Sequence, residues 1–355
     1  MNRQLTKLWL GTIVAGAAMG ASALAAGNQA FVPMGSADAV AVIDLEHNQR
    51  TATITGTVNT HGSALTPDGL YLVAGSLTPR EPAEAVERPA GVSADEHAAH
   101  HGGSEEASAG AQNSGLLYVV DTSTNAVARK LEVPGPVHHV LVTADGRYAV
   151  STHPMGGGVS VVSLESGKLV ATIATGPNPN YLVESGDGRS LIVSNAGNGT
   201  VSEIDTEHWF VRRNMRVGGS PEHMLLASDS SDRLYVNDVQ NGQVVMLDLA
   251  SGNVTDRYEV GKAPHGIGLS PDGRNLYAVS QGDDRVVRIT LDDGTRHSAG
   301  LAPAPYHLAV TPKDGRLLVT SREQSKLWVL DPASLEIVRE IALDGIGHQI
   351  SLEKQ

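Results

Sequence analysis

Six histidines occupy one recurring place in this chain: His61, His138, His223, His265, His307 and His348. Four of them stand seven residues before an Asp-Gly pair, in the phrases LTPDG, VTADG, LSPDG and TPKDG. His223 keeps the same distance from a degenerate copy, ASDSSDR, His348 holds the place in the last unit, and Asn180 takes it in one further copy. The whole chain has 14 histidines in 355 residues, too few for this alignment to arise by independent placement. Neutral imidazole binds zinc, copper, nickel or iron through one nitrogen while its other nitrogen is oriented by a hydrogen-bond acceptor. Three or four such rings could close on one zinc, and a larger subset could hold copper, the divalent ion at the top of the affinity series. Two other origins fit a repeated histidine: an inherited letter with no present use, and a structural imidazole satisfied within its own repeat.

Such a set needs a repeated scaffold, and the chain has one. The Asp-Gly phrases follow alternating apolar segments, as hairpin turns do. A second series, with VIDLEHN, VVDTSTN, VVSLESG, EIDTEHW, MLDLASG, RITLDDG and VLDPASL, recurs every 40 to 43 residues apart from one step of 77. Seven units of about 42 residues, each reading as four short strands, predict an all-β, seven-bladed β-propeller with four-stranded blades. The chain opens on later strands of a blade, AVAVIDL and RTATITG, and closes on an inner strand, HQISL, so one blade is expected to be built jointly by both termini. That joint would leave no exposed sheet edge. The long step contains a stretch at about 79–113, rich in His, Glu, Ala and Gly, whose composition predicts a disordered loop.

The phrases GPNPNYLVESGDGRSLIVSNAGNGTVSEIDTE and GKAPHGIGLSPDGRNLYAVSQGDDRVVRITL resemble the YVTN-repeat propellers, seven-bladed proteins of the periplasm or cell surface. The resemblance covers nearly all of the expected mature chain and implies the fold; a scaffold shared by unrelated tasks implies no one function. Inner strands run side by side around a propeller's central channel, so residues at one register share one depth. The six histidines should therefore form a ring at one mouth of the channel. The family architecture places the 79–113 loop on that same face, with His97, His100 and His101 as loop ligands above the ring. Asn180, His139, His153 and Asp238 are candidates to orient the ligands from behind. For His139, strand alternation favours packing between blades for one member of the His138-His139 pair.

The ring also resembles the propeller domain of nitrous oxide reductase, whose hub histidines hold a multinuclear copper cluster. This chain departs from it by its smaller size, by Asn180 in the ring and by lacking the cysteine-containing domain. It is similar, too, to periplasmic zinc-chaperone propellers, which combine a hub site with a histidine-rich loop; EHAAHHGG at 96–103 matches that loop in composition only.

Residues 1–25 combine Arg3, Lys7, an apolar run and the small-residue pattern Ala23-Leu24-Ala25, which reads as a cleavable secretory signal peptide. The remainder, 26–355, is then one propeller domain in the periplasm, with no membrane span after cleavage. Losing Arg3 and Lys7 takes the formal charge from -13 to -15, which suggests no nucleic-acid partner. The absence of cysteine excludes disulfides, c-type haem attachment and thiolate metal sites. No Walker-type loop, HExxH helix or GxSxG elbow is present.

The expected function is a monomeric metallochaperone-like propeller that stores or delivers copper, with zinc as the alternative ion. Its partners would be the ion and a periplasmic metal-transport or acceptor protein. A copper-dependent oxidoreductase at the same hub is a second reading. A metal-free scaffold for a protein, tetrapyrrole or glycan is a third.

Overall fold

The computed structural model describes residues 28–80, 114–227 and 232–353. The expected signal peptide, nearly all of the 79–113 loop with His97, His100 and His101, and part of the degenerate turn lie outside these residues. The described chain forms seven four-stranded antiparallel sheets, six of them following chain order from one edge to the other. In six sheets all four strands are consecutive. In the seventh, Ser351–Leu352 pairs with Gln29–Met34, which continues into Ala39–Asp44 and Gln49–Thr55. The termini thus share a blade, as expected, and the N-terminal share is three strands.

Alternation along the strands explains how blades pack. In Gln29–Met34, Ala30, Val32 and Met34 join a cluster with Leu318, Leu327 and Val329 of the preceding blade. Phe31, between them, joins Leu72 and Val120 of the following one. Seven such apolar clusters occur among the described residues, one for each junction between neighbouring blades. The three inner strands of each sheet are therefore largely buried on both faces, with mainly Val, Leu, Ile and Ala side chains because two twisted sheets must approach closely, while outermost strands such as Asn253–Glu259 and Ile337–Ala342 stay largely exposed.

The Asp-Gly phrases are the turns that leave the inner strands. In the four phrases named above and in ESGDG at 184–188, the glycine has φ near +70°, which only glycine adopts without strain. The Ser or Thr at the start of the turn donates its hydroxyl to the Asp carboxylate, as Thr66 does to Asp68 at 2.5 Å and Thr143 to Asp145 at 2.7 Å. Arg80 and Ser114 exchange two backbone hydrogen bonds, so the long insertion leaves and rejoins its blade at one point between the second strand, Tyr71–Ser76, and the third, Gly115–Asp121. No helix among the described residues is long and apolar enough to cross a membrane.

Candidate metal centre

Inner strands carry a β-bulge at the register of the repeated histidine. Thr60 pairs with Ser76 and Ser63 with Ala74, which leaves His61 and Gly62 opposite one residue. The same slip leaves Asn180-Tyr181, Glu222-His223, His265-Gly266 and Tyr306-His307 off the ladder. The expected single register is thereby corrected: His61 and His265 take the first place of the bulge, His223 and His307 the second, with Glu222 and Tyr306 ahead of them. In the third blade, His138 and His139 both bond to Thr152. A bulge of two residues against one interrupts alternation, so consecutive side chains can turn toward the axis.

Second-strand side chains opposite the bulges hold them in place. Thr152 Oγ1 accepts from the His139 amide at 3.0 Å and donates to the Asn180 carbonyl at 2.9 Å. Ser194 and Thr320 hydroxyls accept from the Tyr181 and His307 amides at 2.9 and 3.1 Å. Asn237 Nδ2 donates to the His265 carbonyl. Glycine is required where strands crowd: a Cβ on Gly62 would lie 2.5 Å from His139 Cα, and one on Gly266 2.3 Å from the Leu308 amide nitrogen.

Seven imidazoles converge at the hub, the six register histidines and His139. Ring centroids lie 4.4 Å apart for His61 and His138, 4.3 Å for His61 and His348, 4.2 Å for His223 and His265, and 4.8 Å for His265 and His307. His139 is 5.0 Å from His61 and 4.9 Å from His223. The expectation that alternation would turn one of the pair between blades is corrected by the bulge, which directs both into the hub. Three triads bring their nitrogens within 4.8 Å of one another: His61, His138 and His139; His61, His307 and His348; and His223, His265 and His307.

All seven rings are neutral at pH 7. Burial pushes His61, His139, His223, His265 and His307 well below the usual histidine value, and neighbouring imidazoles add to the shift. It pushes His138 and His348 down to about 4. Each ring also has one buried nitrogen without a protein partner: Nδ1 in His61, His138 and His348, Nε2 in His139, His223, His265 and His307. A buried polar atom left unpaired costs roughly 1–3 kcal/mol, so seven together at one spot indicate a ligand or bound water that satisfies them. Neutral imidazoles with free nitrogens fit a transition-metal ion.

Several opposite nitrogens are held. Gln349 Oε1 accepts from the Ser63 amide at 3.2 Å and from His139 Nδ1 at 3.0 Å, while its Nε2 donates to Tyr181 Oη at 3.2 Å. The backbone donor fixes the amide's orientation, which makes His139 Nδ1 a donor and leaves the Nε2 lone pair for the hub. His61 Nε2 lies 3.3 Å from Tyr306 Oη. His265 Nδ1 lies 3.4 Å from Glu222 Oε2. Tyr181, Glu222, Tyr306 and Gln349 were not singled out in the sequence; their signal was adjacency to the register residue, which matters only once the bulge is known.

Two candidates for orienting residues have other partners. His153 donates from Nδ1 to the Pro136 carbonyl at 3.0 Å and accepts at Nε2 from Ser160 at 2.7 Å, so it is a satisfied imidazole within its blade. Asp238 accepts from Asn241 Nδ2 at 2.7 Å and Gln243 Nε2 at 3.0 Å, organising the turn after its strand. Asn180 stands in the ring with its Oδ1 unpaired.

Comparison with known proteins places the chain. Antigen Lp49 of Leptospira interrogans is 25% identical over 199 residues, 50% of this chain and 43% of that protein. The seven-bladed β-propeller protein Rv1057 of Mycobacterium tuberculosis is 27% identical over 113 residues, 31% of this chain and 28% of that one. The chain thus matches less than half the length of either relative. A structure titled as a candidate 6-phosphogluconolactonase from Bacteroides fragilis superposes with a TM-score of 0.71 at 15% identity, covering 93% of this chain and 98% of that one; the likeness is one of fold. Residues 87–273 match the YNCE-like beta-propeller family, and with more than half the chain matched and seven blades in the structure, this protein is a member of that family.

Proposed function

We propose that the hub binds a transition-metal ion, copper in preference to zinc, and that the protein stores or delivers this ion in the periplasm. The observation that carries the reading is the convergence of seven neutral imidazoles, each with one buried nitrogen lacking a protein partner. Imidazole donors without thiolate suit copper(II) and zinc, and copper binds the same donors more tightly. Burial of the rings speaks for an ion within the channel and against axial ligation of a macrocycle lying over the face. The relatives' names supply no activity for this chain.

Metal per protein, measured by plasma mass spectrometry after export to the periplasm, tests the proposal. At least one equivalent of copper is expected, falling sharply in the His265→Ala, His307→Ala double variant. Less than about one tenth of an equivalent of any transition metal, unchanged in the double variant, would refute it.

A further inference from the structure

The hub has a charged side, and it coincides with the side that retains solvent contact. His61, His139, His223 and His307 are at most 4% exposed, His265 and His348 reach 9%, and His138 is partly exposed. Arg322 opposes protonation of these last three rings, His138, His265 and His348. Its exposed guanidinium donates to Tyr306 Oη at 3.1 Å and sits 4.7 Å above the Tyr306 ring. Tyr306 in turn stacks on His265, with centroids 4.0 Å apart and planes 10° from parallel. On the other edge of His265, 3.4 Å from Nδ1, is Glu222 Oε2, with the Glu222 side chain 21% exposed. Glu222 also acts electrostatically on His138. One carboxylate and one guanidinium therefore flank the same outer imidazoles.

We propose that Glu222 draws the cation into the hub and positions His265 to receive it, with Arg322 as the opposing charge that limits uptake. This rests on the metal-binding reading above. The bulge makes the placement possible, because Glu222 and His223 are the two residues of their inner strand that leave the ladder together. A carboxylate on Nδ1 keeps that nitrogen protonated and presents the Nε2 lone pair to the His223, His265 and His307 triad. Ahead of coordination, the same carboxylate offers an approaching cation a favourable local field.

Copper(II) alone, and separately zinc(II) alone, mixed with metal-free full-length protein at constant pH provide the test, with uptake rate and equilibrium affinity recorded at low and high salt. Glu222→Gln keeps an acceptor for His265 but loses the charge. It should load about tenfold more slowly at low salt, with stoichiometry retained and the difference shrinking as salt is added. Arg322→Gln should load faster than the native protein. Glu222→Leu loses acceptor and charge and should also bind about 10–100-fold more weakly. An unchanged rate in Glu222→Gln, or native affinity in Glu222→Leu, overturns this inference while leaving the hub site standing. A native protein that takes up neither metal overturns both.

Discussion

Acid should unfold the metal-free protein through its hub. The perturbation is a shift from pH 7 to pH 4.5 after removal of metal by chelation. In the folded state His138 and His348 are held down to about 4 by burial, against an ordinary value of 6.5. The unfolded chain therefore binds more protons between these values. The stabilising contribution is present above pH 6.5 and is lost as pH falls toward 4. At pH 4.5 each of the two rings contributes a loss of roughly 2–3 kcal/mol. The five more strongly shifted rings act in the same direction. Glu222, whose carboxyl is pushed up by burial, works the other way and offsets part of the loss. A domain has about 5–15 kcal/mol in all, so the effect should be large in urea unfolding followed by tryptophan fluorescence. His348→Asn, which copies the residue found at 180, should reduce the acid loss by roughly 2–3 kcal/mol. Equal stability at pH 7 and 4.5, or an acid loss that His348→Asn leaves untouched, would refute the reasoning.

Three further outcomes are expected. His307→Ala, which breaks two of the three triads, should weaken metal binding more than His348→Ala, which breaks one; isothermal titration with copper or zinc would show the order. Gln349→Leu leaves the Ser63 amide, Tyr181 hydroxyl and His139 Nδ1 without their partner; it should lower stability by about 2–4 kcal/mol in denaturant unfolding and weaken metal binding by about 10–100-fold. Gly62→Ala forces a methyl against backbone atoms of the next blade and should destabilise by about 1–3 kcal/mol or more, read as a lower urea midpoint.

The propeller was legible because every blade repeats the same local grammar. Ser or Thr, Asp and Gly mark the inner turn, with the Asp two residues on in four copies and three residues on at Thr311–Asp314, and alternating apolar segments mark the strands beside it. The shared terminal blade followed from counting strands at the two ends. The repeat pointed to these six histidines, but not to their placement: His61 and His265 stand first in their bulges, whereas His223 and His307 stand second. What register could not give was the bulge: its cause is distributed over Thr152, Ser194, Asn237 and Thr320 on the neighbouring strand, which look like ordinary polar residues in sequence. Without it, His139 is assigned by alternation to a blade junction, and Glu222, Tyr306 and Tyr181 have no reason to reach the axis. Conversely, His153 and Asp238 share a sequence offset from the ring, yet they spend their hydrogen bonds on the strand and turn that carry them.

X-ray absorption on the copper-loaded protein tests the central claim most directly. The account predicts a first shell of nitrogen or oxygen at about 2.0 Å, without sulfur, and outer-shell scattering from at least three imidazole rings per bound ion, lost when His61 and His307 are replaced by Ala. A spectrum with fewer than two imidazoles per copper, or one unchanged by those replacements, would contradict it.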